Sequence, residues 1–435
     1  MNIDNLTKEF IEKYFESKSG TAPYLWNKSN IFDPSKDSVY YSGPFWNSEE
    51  IESAIKCLVD GQWLSSGEKV NQFERKFSKI FNFNESLMVN SGSSANLIMV
   101  AALKKYFGWE DGDEIIVSVV GFPTTVSAII QNNLVPKFVD INWNDLNWDV
   151  QQMRKQITNK TRAIFSSPVL GNPGNFDLVL NFSSDFNIPI ISDNCDSLGS
   201  KWRDKYLTDY SLAASCSFYP AHHITTMEGG MVSSNNPEII EVARSLAWWG
   251  RACYCVGRQN LLPYGTCKKR FSQWIEDCDD VVDHKYVFEN IGYNLKPLDL
   301  QGAIGLIQLN KFAEIDRIRK MNKFRVDNIF ESVQGIRLIT EFKHASVSWF
   351  GAPLVCETST LKRSLVAFLE KNRIQTRNYF AGNLLMQPGY KSLGDWREFP
   401  NATQVLGKVF FVGVSPTISE KMLDYVEYIV NNFNI

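Results

Sequence analysis

The stretch PIISDNCDSLGS (residues 189–200), followed by SLAASCSFYPAHHITTMEGGMV (residues 211–232), decides how this chain is organised. The apolar run from Ile188 to Ile191, broken only by Pro189, reads as a buried strand that delivers Asp193 at its carboxyl end. Ala213 to Phe218 reads as a second short strand, delivering Ser217 and then the adjacent pair His222 and His223. An acid at one strand end and a polar loop after the next is the layout of a ligand crevice in an open α/β sheet.

Working outward, the same alternation continues. Val70, Phe73, Phe77 and Ile80 recur at steps of three and four, which predicts a helix after Ser65. SLMVNSGSSANLIMVAALKKYF then reads as strand, small-residue turn and helix, with NSGSS (residues 90–94) at the junction. Backbone N–H groups at such a turn suit an anion, although a plain helix cap has the same look. EIIVS, PKFVD and RAIFSS are further strands, and Phe122 lies on the turn before a helix entered through Pro123. Asn236, Pro237 and Glu238 start a helix expected to run through AWWG, residues 247–250. Strands alternating with helices predict a mainly parallel sheet covered on both faces. Residues 1–45 form an expected arm and 46–305 a large domain. Residues 251–290 interrupt that domain as an aperiodic insert, and 306–435 form a smaller α/β domain. Within it, Leu361, Leu365, Phe368 and Leu369 share one helix face, as do Leu423, Val426 and Val430 after a Ser419 cap.

Composition narrows the class. Across 435 residues, 44% are apolar and 21% charged, which fits an ordinary globular protein with more than one core. A net charge of −3 gives no reason to expect nucleic acid or an anionic membrane as partner. The amphipathic start MNIDNLTKEFIEKYFE is no signal peptide, and no apolar run has membrane-spanning length, so a cytoplasmic setting is expected. Eight cysteines in so long a chain are no disulfide framework. Cys57, Cys216 and Cys356 sit in apolar patterns as core residues. Cys195, Cys253, Cys255 and Cys267 give the spacing C-x57-C-x-C-x11-C, with Cys278 in reserve.

The strings around Asp193 and His222 resemble the pyridoxal-phosphate sugar aminotransferases of the DegT/DnrJ/EryC1/StrS family. The resemblance runs from about residue 40 to the C-terminus. It implies the type I, aspartate aminotransferase-like fold of that cofactor's enzymes. In the family an Asp pairs with the pyridine nitrogen, and a lysine in an SFxxxK…GEGG string carries the cofactor as a Schiff base. Here His222 holds the lysine's place, and no lysine lies between Lys205 and Gly230. An imidazole cannot form that bond. The family implies that Asp193 and Asp196 lie against the cofactor and that Phe122 stacks on its face. Gly92, Ser93, Ser94 and Ser217 would hold its phosphate. Asn294 would reach a phosphate across a homodimer interface. Met227, where the family has glycine, is a departure that puts the local loop in doubt.

SFYPAHHITT (residues 217–226) resembles one branch in particular, the CDP-4-keto-6-deoxyglucose 3-dehydrases. That branch implies free pyridoxamine 5′-phosphate as cofactor, His222 as base, and loss of a C3 hydroxyl instead of nitrogen exchange. It also implies a [2Fe–2S] cluster on Cys195, Cys253, Cys255 and Cys267, fed by an NAD(P)H-dependent iron–sulfur flavoprotein reductase. The product would enter 3,6-dideoxyhexoses of surface polysaccharide. Arg377, in TRNYFAGNLLMQP, would meet a diphosphate or sugar oxygen of the substrate. A four-cysteine zinc site, a cluster-free dehydratase of the colitose type acting on a GDP-sugar, and a fold kept only for binding remain as alternatives.

Overall fold

The computed structural model describes residues 3–16, 32–61, 63–253, 270–272 and 275–433. Its central sheet has seven strands. Five run parallel: Ala213–Ser217, Ile190–Asp193, Thr161–Ser166, Glu114–Ser118 and Val135–Val139, in that spatial order. Gly230–Ser234 adds on beside Ala213–Ser217 in the opposite sense, and Glu85–Val89 closes that edge. All residues of Ile190–Asp193 and Ala213–Ser217 are buried. Two-sided burial follows from helices on both faces, so these strands read as unbroken apolar or small-residue runs.

Most element expectations hold to within a few residues. The predicted helix after Ser65 spans Glu68–Ile80 and buries Val70, Phe73 and Phe77. Helix Gly92–Phe107 is capped by Ser91, whose side chain accepts from the Ser94 N–H at 3.1 Å. Asn236 caps helix Pro237–Ala247 through the Glu238 N–H at 3.0 Å. That helix does not run through residue 250, as its sequence suggested. Trp249 and Gly250 take left-handed φ values of 63° and 83°, and the Gly250 N–H returns to the Ser245 carbonyl. A glycine-terminated left-handed turn satisfies the last carbonyls and ends the helix. Cys57, Cys216 and Cys356 are buried.

A 33-residue helix, Asp299–Glu331, packs along the helices Ser48–Asp60 and Glu68–Ile80. At Gly302 an added Cβ would lie 2.5 Å from the Val70 nitrogen, so glycine permits this approach. The helix carries the chain across residue 305, which we keep as the proposed domain boundary. Beyond it an antiparallel four-stranded sheet forms, ordered Ile336–Leu338, Gly351–Cys356, Val409–Gly413, Thr376–Asn378. The arm is tied to this sheet at Val39, which exchanges backbone hydrogen bonds with Arg373 and Gln375. Among the described residues no helix is long and apolar enough to cross a membrane.

Candidate active site

The carboxyl ends of the central strands, the His222 loop and the edge of the smaller sheet enclose a cavity of about 710 Å³. It brings together Gly92, Ser93, Phe122, Asp193, Cys195, Asp196, Ser217, His222 and Arg377. Ser94 and Asn294 are not among its walls. The Ser94 hydroxyl is engaged with Ser91, and Asn294 is exposed, bridged to Trp248 and bonded by Lys296.

Asp193 is the most constrained group. Its Oδ2 accepts from Asn96 Nδ2 at 2.8 Å and Thr125 Oγ1 at 2.6 Å, and its Oδ1 from the Cys195 N–H at 3.2 Å. Asn96 is itself oriented by the Ser215 hydroxyl at 2.5 Å. Three donors on one buried side chain fix its position and orientation. Sequence reasoning missed Asn96 and Thr125. The signal for Asn96 was there: a polar residue inside the buried stripe Ala95, Ile98, Met99.

At the opposite wall, His222 Nδ1 lies 3.7 Å from Asp196 Oδ1, too far for a hydrogen bond. That nitrogen is buried and has no partner among the described residues. Burial, the largest cause, pulls the His222 pKa down to about 4, against the upward pull of Asp193. Burial and the neighbouring Asp193 charge push Asp196 up to about 8. At neutral pH both groups of the pair are therefore uncharged, a free base beside a carboxylic acid. His223 points away: its Nε2 is 2.9 Å from the Ser348 carbonyl, and burial holds it neutral.

The histidine loop is held through its backbone. Arg319, buried in the long helix, donates to the carbonyls of Ala221 and His222 at 3.3 and 3.1 Å. It also donates to Trp349 and Phe350 at 3.2 and 3.1 Å, so one guanidinium joins the loop to the smaller sheet. Met227 has φ 71°, the left-handed conformation for which glycine would be strain-free. The doubt raised by this residue is thus located: the loop keeps the glycine-type conformation with a methionine in it.

The cavity suits a phosphorylated pyridine. At Gly92, the first residue of its helix, a Cβ would lie 2.4 Å from Ser217 Cβ, so only glycine lets the helix N-terminus and Ser217 close on one anion. Phe122 is 52% exposed and stands at the cavity wall, free to cover a ring face. Asp193 offers a fixed carboxylate, and His222 an unpartnered nitrogen. No lysine lines the cavity among the described residues.

The cysteines are a different case. Cys195 faces Asp193, and burial first, then that charge, raises its thiol pKa well above the usual value. Cys253 is buried with Sγ 3.5 Å from His284 Nε2. Cys255 and Cys267 lie outside the described residues. Among the described residues no three His, Cys, Asp or Glu side chains are grouped to hold a metal. The described thiols alone therefore build no metal centre.

Comparison with known proteins agrees with this geometry. The chain is 36% identical over 404 residues to the lipopolysaccharide biosynthesis protein RfbH of Salmonella typhimurium, covering 88% of this chain and 89% of that one. It is 35% identical over 387 residues to the dTDP-4-dehydro-2,6-dideoxy-D-glucose 3-dehydratase of Saccharopolyspora spinosa, covering 86% and 81%. The solved structure of E. coli GDP-4-keto-6-deoxy-D-mannose-3-dehydratase with bound hydrated PLP superposes with a TM-score of 0.78 at 29% identity, covering 90% of this chain and 99% of that one. Residues 46–431 match the DegT/DnrJ/EryC1/StrS aminotransferase family, and the chain belongs to that family.

Proposed function

We propose that this protein removes the C3 hydroxyl of a nucleotide-linked 4-keto-6-deoxyhexose, as a nucleotide-sugar 3-dehydrase. The observation that carries the reading is His222, a neutral imidazole in a cavity where no described lysine can tether the cofactor. The relatives named above as 3-dehydratases support it. Bound there, pyridoxamine 5′-phosphate supplies a primary amine for the C4 ketone and a protonated ring that accepts electron density.

The chain's own residues do the rest. Asp193, held in place by Asn96 and Thr125, would pair with the ring nitrogen of the bound cofactor. Gly92, Ser93 and Ser217 hold the phosphate at the helix N-terminus, with the Ser94 N–H engaged in the cap. Phe122 covers the ring. His222, unpartnered at Nδ1 among the described residues, would serve as the base for the cofactor's benzylic carbon. Asp196, whose pKa burial and the Asp193 charge push up to about 8, would supply a donor beside it. Arg377 takes a substrate oxygen at the mouth, and Asn294, exposed here, contributes to the second site of a homodimer.

The finer reading makes the substrate CDP-4-keto-6-deoxy-D-glucose. It adds a [2Fe–2S] cluster on Cys195, Cys253, Cys255 and Cys267, supplied with electrons by an NAD(P)H-dependent reductase. The competing reading is a cluster-free GDP-sugar dehydratase, supported by the likeness to the E. coli GDP-4-keto-6-deoxy-D-mannose-3-dehydratase. Iron and acid-labile sulfide in anaerobically purified protein separate them: about two of each per chain supports the cluster, and none supports the alternative. Borohydride treatment of the cofactor-loaded protein tests the shared core. A lysine adduct would end the dehydrase proposal.

A further inference from the structure

Tyr41 reaches the cavity wall from the N-terminal arm, outside both sheets. The arm is held there at successive residues. Val39 exchanges backbone hydrogen bonds with Arg373 and Gln375 at 2.8 and 2.9 Å, beside the edge strand Thr376–Asn378. The Tyr41 backbone then crosses Gly413, where an added Cβ would lie 2.2 Å from the Tyr41 carbonyl oxygen, so glycine is what lets the arm pass. Ser42, 5% exposed, donates its hydroxyl to the Ala221 carbonyl at 2.7 Å, next to His222. The arm thus spans from the smaller sheet to the histidine loop, with Tyr41 between the two anchors.

Strand register shows which face of the sheet Tyr41 meets. Arg377 pairs with Phe411 across the smaller sheet, so their side chains share a face, and both line the cavity. Gly413 lies two residues beyond Phe411 and opens on that same face. The Tyr41 ring meets both side chains, its centroid 4.2 Å from Arg377 Cζ and 6.1 Å from the Phe411 ring, edge to face. Burial is the first cause that raises the Tyr41 phenol pKa; Arg377 opposes it, and the wall residues Tyr219 and Asp196 add to it. Tyr41 therefore keeps its proton at neutral pH and sits among the groups that face the ligand space. Arg377 itself is exposed, and an unsupported arginine loses rotamer freedom whenever it takes hold of a ligand. Here its Nη1 is tied to the Thr376 carbonyl at 2.8 Å and its guanidinium rests against the Tyr41 ring. A cation held on an aromatic face is organised in advance for an acceptor oxygen.

We propose that Tyr41 is a positioning residue for the substrate: its ring is the platform that holds the Arg377 guanidinium at the cavity wall for an acceptor oxygen of the nucleotide-linked sugar, which makes the arm part of the substrate site. The role of Arg377 and the substrate class rest on the dehydrase reading above; the seat of Tyr41 does not. The acceptor belongs either to the diphosphate or to the hexose, and both offer the same oxygen chemistry.

The test is calorimetric titration of the cofactor-loaded protein with CDP, dTDP and GDP, and with CDP-glucose, dTDP-glucose and GDP-mannose. Tyr41→Phe keeps the ring and should bind within about twofold of wild type, while Tyr41→Leu should weaken binding about three- to tenfold. Arg377→Met should cost about tenfold or more, and adding Tyr41→Leu to it should cost nothing further. Loss with the free nucleotides as well places the acceptor on the diphosphate; loss with the sugar conjugates alone places it on the hexose; either supports the platform. Unchanged affinity in Tyr41→Leu overturns it. So do equal losses in Tyr41→Phe and Tyr41→Leu, or a Tyr41→Leu loss that persists in the Arg377→Met background. If the wild-type protein binds none of the six, the dehydrase reading falls, and this role with it. Thermal melting checks folding, and Tyr41→Met, which fills the space without an aromatic face, gives the same comparison where Tyr41→Leu fails to fold.

Discussion

Asp193 and His222 face the same cavity, yet the Asp193 side chain receives three hydrogen bonds while His222 Nδ1 receives none from the described residues. The aspartate is fixed by its side chain, from two helices and its own loop. The histidine's backbone is held through Arg319, and its Nδ1 has no partner among the described residues. A group whose task is to keep a constant charge gains from every donor aimed at it. A group whose task is to move a proton needs a fixed position and a vacant lone pair. The contrast can be broken from either side.

The largest expected effect comes from the open side. His222→Asn preserves size and polarity but removes the base. It should slow solvent-hydrogen exchange at the cofactor's benzylic carbon by about 10²–10⁴-fold, followed by mass spectrometry or NMR. Cofactor affinity should change little, because Asp193 and the phosphate cradle are untouched. Unchanged exchange would remove His222 from the role of base.

Next is the backbone clamp. Arg319→Met leaves four carbonyls, those of Ala221, His222, Trp349 and Phe350, without their shared donor. Stability should drop by about 1–3 kcal/mol or more in urea unfolding, the usual cost of leaving buried acceptors unsatisfied. Arg319→Lys should recover part of this, since an ammonium reaches fewer of the four. Asp193→Asn strikes the fixed side. The amide oxygen can still accept from Asn96 and Thr125, which share one carboxylate oxygen, but its NH2 then faces the Cys195 N–H, so roughly 1–3 kcal/mol of cofactor affinity or stability should be lost. Fluorescence titration with pyridoxamine 5′-phosphate checks this, and an unchanged affinity would mean that Asp193 is not the anchor.

The sequence made the two sides unequally legible. Asp193 was readable because it ends a short apolar run, where a polar residue stands out, and the parallel sheet was readable for the same reason. His222, in the loop after the next strand, was readable only through the family resemblance. Arg319 was not, because on a helix one buried cation among Asp316, Arg317 and Lys320 looks like a solvated face. Its burial depends on the smaller sheet folding back over residues 349 and 350, a long-range fact that no local period carries. The end of helix Pro237–Ala247 was misplaced because apolar Trp248 and Trp249 continue its pattern, while the left-handed turn is decided by Gly250. The roles of Ser94 and Asn294 separate likewise: Ser94 is bonded to the Ser91 cap of its own helix, and Asn294 lies away from the cavity of its own chain.

The smallest expected effect sharpens the open side, through Asp196. In the cofactor-free protein its pKa is raised from the ordinary 3.8 to about 8, with burial as the first cause and Asp193 as the second. The unfolded chain releases this proton near pH 4, while the folded chain holds it to about pH 8. Its contribution to stability is thus complete below pH 4 and is lost as pH rises toward 8. His222, lowered from 6.5 to about 4, works in the opposite window. Its contribution is complete above pH 6.5 and is lost as pH falls through 4. Between pH 6.5 and 8 Asp196 therefore acts nearly alone within the pair. Asp196→Asn keeps an oxygen for the Leu170 N–H, which now reaches it at 3.4 Å, and removes the ionisation. Urea unfolding of the cofactor-free proteins should give closely similar stabilities near pH 4 and an advantage for the variant that grows as pH rises toward 8. Parallel curves across that range would mean that Asp196 is ionised in the folded protein. His222 would then stand beside a carboxylate, and the cavity would have two fixed charges in place of one.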